Sequence, residues 1–163
     1  MAGMGKFSIS GMDELQKQLN QLKKDTGAFV EECAKELTAR LLAKVIKRTP
    51  VGDYSKSSGK KGGTLRRGWT NPKAGSESDG LNVNSAKQYV DSLKINHFGN
   101  VYVIEIVNPV EYASYVEFGH RTANHKGWVP GHFMLTISEQ ELQQIAPKVL
   151  ENKIKKFLGG IMK

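Results

Sequence analysis

Asn108-Pro-Val-Glu-Tyr-Ala-Ser-Tyr-Val-Glu-Phe-Gly119 decides how the rest of the chain is read. It follows the most strand-like run in the sequence, Val101 to Val107, and carries the punctuation of a short helix. Asn108 is a candidate N-cap, with a side-chain oxygen able to accept a first-turn N–H. Pro109 stands at the first helical position, where its missing N–H costs nothing. Glu111 holds the capping-box position three residues on, and its charge suits the positive end of the helix dipole. Gly119 can take the positive φ that ends a helix. Within the segment Tyr112, Tyr115 and Phe118 recur three apart, with Ala113 and Val116 beside them. That spacing suits packing on a sheet. It also suits one aromatic edge and the Glu117 carboxylate facing a partner subunit.

Upstream, Tyr89 to Phe98 and Val101 to Val107 read as a hairpin across Gly99-Asn100, a turn-forming dipeptide. A short helix over Asn84 to Ser92 is the alternative reading. In the second strand Tyr102, Ile104 and Ile106 share the side expected to face the core. Thr64 to Thr70 is expected to be a strand anchored by Trp69. Residues 51–63 and 71–85, rich in Gly, Ser and Lys and without apolar periodicity, are expected to be flexible loops.

Residues 1–10 read as a loose arm. A helix starts near Ser10, and Met12, Leu15, Leu19 and Leu22 form a narrow apolar seam along it. Asp25-Thr-Gly27 predicts a kink or a break. A second stretch carries Phe29, Val30, Cys33, Leu37, Leu41, Val45 and Ile46 at helical spacing and ends before Pro50. On the C-terminal side, His120 to Gly131 reads as a loop in which Trp128 and Val129 fold back onto the body. Ser138 with Glu141 reads as a capping box. Pro147 predicts the first turn of a further helix, and Gly159-Gly160 its end.

The 163 residues contain 24 Lys and Arg against 16 Asp and Glu, a net charge of +8. Nine of the basic residues lie between Lys44 and Lys73 with one acid, Asp53, so this stretch accounts for the whole excess. Such a region suits a polyanion, an acidic protein surface or solvent. Lys56, Lys60, Lys61, Arg66 and Arg67 are its candidate contact residues, giving an alternative reading as a basic-loop DNA-binding module. Length and composition suit one domain with a real core. A single cysteine, Cys33, excludes an internal disulfide and sits on an apolar stripe as a structural thiol. No run is apolar and long enough to span a bilayer, and the first residues lack a signal-peptide core.

No enzyme signature emerges. Gly63-Thr64 lacks the lysine of a phosphate-binding loop. His97, His120, His125 and His132 match no standard zinc spacing, and no Gly-x-Ser-x-Gly elbow exists. A nuclease built on Glu111 or Glu117 with His120 lacks a second carboxylate at metal spacing. The expectation is no catalysis, no cofactor and no metal.

Three blocks in order carry a resemblance. Arg48-Thr-Pro-Val-Gly52 with Thr64-Leu-Arg-Arg-Gly-Trp69, then Asn108 to Thr122, then Gly127-Trp-Val-Pro-Gly-His-Phe-Met-Leu135 resemble the tail-completion and head–tail joining proteins of long-tailed bacteriophages and prophages. In the usual pattern little separates Pro-Val from Leu-Arg; here Asp53 to Gly63 intervenes. The resemblance implies a structural virion protein, made in the bacterial cytoplasm, that forms a homo-oligomeric ring at the head–tail junction or the head-proximal end of the tail. It implies portal or connector, tail-tube and tail-terminator partners, with DNA passing through the lumen and no membrane. A ring needs two different, complementary surfaces. The candidates are Leu15, Leu19 and Leu22, the aromatic helix with Tyr112, Tyr115, Glu117 and Phe118, and the loop around Trp128. In isolation the protein is expected to be monomeric or mixed. The expected fold is α+β: a small, mainly antiparallel sheet flanked by a long N-terminal helical region, the aromatic helix and C-terminal helices.

Overall fold

The computed structural model describes residues 12–59, 62–70, 83–99 and 101–161. The arm at 1–10, most of the 71–85 loop, and Lys60 and Lys61 lie outside the described residues. The elements are α1 (Met12–Arg48), α2 (Thr64–Gly68), α3 (Val83–Ser92), β1 (Asn96–Phe98), β2 (Val101–Val103), α4 (Ala113–Phe118), β3 (Gly119–Arg121), β4 (Trp128–Pro130) and α5 (Met134–Ile161). The fold is α+β, as expected, but the strands form two separate antiparallel hairpins, β1–β2 and β3–β4, rather than one sheet.

α1 runs without a break through Asp25-Thr-Gly27, where a kink or a break was expected. Local bonds hold the helix there: Gln21 Nε2 donates to Asp25 Oδ1 at 2.7 Å, and Thr26 Oγ1 donates to the Leu22 carbonyl at 2.7 Å. A helical glycine costs about 1 kcal/mol, too little to break a 37-residue helix that packs on a partner helix from Phe29 onward. The partner is α5, laid antiparallel on α1. Phe29 stacks on Phe157 with ring centroids 4.3 Å apart. Nearby Lys153 Nζ lies 2.5 Å from Glu32 Oε1, and at the far end Lys44 and Arg48 both grip Glu141.

The core lies where the C-terminal half of α1 meets α2, α3 and the start of α5. Leu42, Val45 and Ile46 pack with Leu65, Trp69, Ala86, Val90, Val110 and Met134. Thr64 to Gly68 is helical, not the strand expected. A strand would place Leu65, Arg67 and Trp69 on one face and bury a guanidinium. The helical period turns Leu65 and Trp69 inward together and leaves Arg67 half-buried. The short-helix alternative at 84–92 is the one adopted, and it buries Ala86 and Val90 one turn apart. The hairpin across Gly99-Asn100 forms as expected with shorter strands, Asn96 facing Val103 and Phe98 facing Val101. From Val101 to Val107 exposure alternates, and Tyr102, Ile104 and Ile106 take the inner side as expected.

α5 corrects three further expectations. It begins at Met134, so Ser138 lies inside the helix, buried, with Oγ donating to the Met134 carbonyl at 2.6 Å. Pro147 is interior rather than at a start, and the helix continues past Gly159.

Candidate functional site

α4 and the segments around it form a corner whose inside is polar and whose outside is aromatic. Asn108 is not the N-cap. Its Nδ2 donates to the Leu65 carbonyl at 2.9 Å, and its Oδ1 accepts the Val110 N–H at 3.2 Å. Asn108 therefore ties the chain to α2, and a turn closed by Ala113 N to the Val110 carbonyl delays the helix to Ala113. Gly119 does end the helix, at φ 88°, and starts β3 directly.

Glu117 is buried, with 6% of its surface exposed, and its carboxylate is used within the chain. Oε2 accepts the Leu135 N–H at 3.0 Å; Oε1 accepts the Thr136 N–H at 2.9 Å and the Thr136 hydroxyl at 2.8 Å. These are first-turn amides of α5, which have no intrahelical acceptor, and a carboxylate there also meets the positive end of the dipole. The His132 and Phe133 amides bond back to the Val116 and Glu117 carbonyls, at 2.8 and 3.0 Å. Phe133 takes a left-handed φ of 48° to make that turn.

With Glu117 turned in, Tyr112, Tyr115 and Phe118 point out, Phe118 with 61% of its surface exposed. The expected loop at 120–131 is in fact the β3–β4 hairpin, His120 facing Val129 and Arg121 facing Trp128. It brings Trp128, 60% exposed, back beside α4. The structure thus gathers Tyr112, Tyr115, Phe118 and Trp128 at one corner and leaves Leu22 apart from them, exposed on the first half of α1. The side chains of Leu15 and Leu19 lie outside the described residues.

Two clefts flank α4. One, of about 270 Å³, is bordered by Val51, Tyr54, Tyr112, Tyr115, His120 and Val129. The other, of about 240 Å³, lies by Phe118 and is walled by Ile106, Ala113, Met134 and Leu135 above Trp69. Val51, Tyr54 and Phe133 are exposed members of this corner that the candidate interface residues did not include, although the 51–63 loop was expected to order against a neighbour. The Pro-Val block adjoining a Leu-Arg block is a usable signal for the first two; the left-handed turn that presents Phe133 leaves no trace in residue type.

Four cations of the basic stretch, Lys44, Arg48, Arg66 and Arg67, hold partners within the chain. Arg66 donates from Nε and Nη2 to the Thr49 carbonyl at 3.1 and 2.7 Å, closing the end of α1 against α2. Arg67 Nη1 reaches the Gly62 carbonyl at 3.2 Å. Lys44 and Arg48 are the cations on Glu141, whose carboxyl lies below the usual range through the hydrogen bond from Lys44 and the Arg48 charge, against some desolvation. Lys56 is exposed. Beneath this region Thr49 Oγ1 donates to the Val45 carbonyl at 2.7 Å and accepts the Trp69 indole N–H at 2.8 Å.

Residues 13–119, from the first turn of α1 to the glycine closing α4, match a family described as "Bacteriophage HK97-gp10, putative tail-component". The chain belongs to that family. Comparison with curated proteins and with solved structures returned no match.

In this tail component the matched region holds the whole Asn108–Gly119 segment and the Leu65 carbonyl that ties Asn108; the Gly127–Leu135 block of the resemblance and the Thr136 contact of Glu117 lie beyond it. His97 sits by Glu31 at 3.1 Å, while His120, His125 and His132 are spread over β3, its turn and the approach to α5. Among the described residues no three His, Cys, Asp or Glu side chains gather where they could hold a metal, and no helix is long and apolar enough to cross a membrane. Cys33 is buried, and that burial pushes its thiol pKa up.

Proposed function

We propose that this tail component joins head and tail, or completes the tail, as a homo-oligomeric ring without catalytic activity. The observation that carries the reading is the aromatic corner. Tyr112, Tyr115, Phe118 and Trp128 lie outward on backbone held by buried bonds to Glu117 and Asn108. Exposed aromatics on a pre-organised frame are what a protein interface uses as anchors, because little ordering entropy is lost on docking. The first half of α1, with Leu15, Leu19 and Leu22 at helical spacing, offers a second and different surface, as a closed head-to-tail ring requires. Its neighbours in the particle are the portal or connector on one side and tail-tube or tail-terminator proteins on the other. The protein is made in the bacterial cytoplasm and resides in the virion.

The test is a phage lysate lacking the protein, examined by electron microscopy and by mass spectrometry of purified particles. Unjoined heads and tails, restored by the wild-type gene and not by Phe118→Asp, are expected. Infectious particles of normal shape assembled without the protein overturn the reading.

A further inference from the structure

The cleft of about 270 Å³ beside α4 has apolar walls from three separate segments: Val51 and Tyr54 after α1, Tyr112 just before α4 with Tyr115 within it, and Val129 and Pro130 of β4. All but Pro130 are large apolar or aromatic side chains with substantial exposure. Apolar surface rimmed by polar groups in this way marks a binding place for another chain. Two carboxylates adjoin the walls, Asp53 next to Tyr54 and Glu111 next to Tyr112, and both residues are exposed.

The sequence supplies a complementary segment. Lys6-Phe-Ser-Ile9 places two large apolar residues in alternation, the spacing at which extended chain presents both to one side, with a cation next to them. Its position excludes the cleft of its own subunit. α1 has 37 residues, about 55 Å at 1.5 Å per residue, and the cleft begins at Pro50, just past its C-terminal end. Phe7 precedes the opposite end by five residues, at most about 18 Å of extended chain. Phe7 therefore stays tens of ångströms short of the Tyr54 and Tyr112 walls of its own chain, while a neighbouring copy's cleft carries no such limit.

We propose that Lys6 to Ile9 of one copy fills the aromatic cleft of the next copy, Phe7 and Ile9 against Val51, Tyr54, Tyr115 and Val129, and Lys6 toward Asp53 and Glu111. The proposal rests on the ring reading and names its contact. One subunit gives a segment at one end of α1 and receives another at the far end. Such an exchange is heterologous and propagates head to tail until the rotation closes.

A fluorescein-labelled peptide of residues 3–11, titrated by anisotropy into the full-length protein at a concentration where sedimentation gives monomer, tests the contact directly. Saturable binding is expected. It should weaken at least about tenfold on Val51→Asp and on Tyr115→Asp, one exposed residue from each of two walls, and equally for a Phe7→Ala peptide. Both protein variants are checked for an unchanged thermal melt; should one fail to fold, the other and the peptide variant still decide. No saturation at millimolar peptide, or binding indifferent to all three changes, overturns the proposal. In assembled particles Phe7→Cys with Tyr54→Cys, on a Cys33→Ala background, should oxidise to an interchain ladder. Particles that contain the protein as a ring but give no ladder sink the arm exchange and leave the ring standing. Peptide binding by a protein missing from particles does the reverse.

Discussion

Glu117 and Thr136 are joined twice, the amide at 2.9 Å and the hydroxyl at 2.8 Å both ending on the same carboxylate oxygen. The aromatic corner and the start of α5 are fixed to each other through this one side chain. Glu117→Ala removes three acceptor contacts and strands two first-turn amides, so a loss of about 2–4 kcal/mol is expected. Glu117→Gln keeps an acceptor oxygen and loses the charge at the helix end, about 1 kcal/mol less damaging. Urea midpoints at constant m-value check both, and equal stability of Glu117→Ala and wild type contradicts the account.

Thr49 and Trp69 form a second buried junction. Thr49→Val conserves shape but leaves the indole N–H without its acceptor. A cost of about 1–3 kcal/mol follows, together with a red-shifted or quenched tryptophan signal. Trp69→Phe in the same background should recover part of that loss, since the stranded donor is gone. A double-mutant cycle measures the difference, and strictly additive effects exclude the coupling.

Acid should loosen both ends of the α1–α5 seam, and alkali only the Glu32–Lys153 end. Glu141 has a lowered pKa, through the hydrogen bond from Lys44 and the charge of Arg48. Its contribution is complete above the unfolded glutamate value of about 4.3 and is lost as pH falls through the lower folded value. Lys153 has a raised pKa, through its hydrogen bond to Glu32. Its contribution is complete below the unfolded lysine value of about 10.4 and is lost as pH rises through the higher folded value. Both pairs are solvent-screened, so small changes are expected. Glu141→Gln should flatten part of the acid limb of stability against pH and leave the alkaline limb; Lys153→Met should flatten the alkaline limb and, because Lys153 also lowers the Glu32 pKa, the rest of the acid limb. Denaturation midpoints across pH 3 to 11 read both limbs.

Gly119 cannot accept a side chain. Its φ is +88°, and a Cβ would sit 2.5 Å from the Val129 carbonyl oxygen, across the β3–β4 pair. Gly119→Ala is expected to cost about 2–4 kcal/mol from strain and displacement together. Hydrogen exchange should accelerate at Trp128 and Val129 ahead of the α1 core. Gly68→Ala meets Asn108 Oδ1 and Val110 instead, and should loosen the Asn108 tie to Leu65 by a comparable amount.

Part of the fold was legible because periodic burial is local. The stripe from Phe29 to Ile46, Trp69 as an anchor, the turn at Gly99-Asn100 and the inward parity of Tyr102, Ile104 and Ile106 all follow from spacing alone. The helix boundaries were not. Asn108, Ser138 and Pro147 carry the usual terminus signals, yet the first is tied to Leu65, the second is bonded inside α5, and the third sits in mid-helix. Each was outweighed by a contact remote in sequence: α2 for Asn108, Glu117 for the start of α5, and the length of α1 for the continuity of α5.

What the sequence determined unaided is the family and the aromatic content of the Asn108–Gly119 segment, since both reside in residue order. Which way that segment faces was settled only in three dimensions. Helical spacing places Tyr112, Tyr115 and Phe118 beside Glu117 without saying which side is inside. The unpaired amides at the head of α5 draw the carboxylate inward, because an ionised group is buried only where donors await it, and the aromatic rings are left outside.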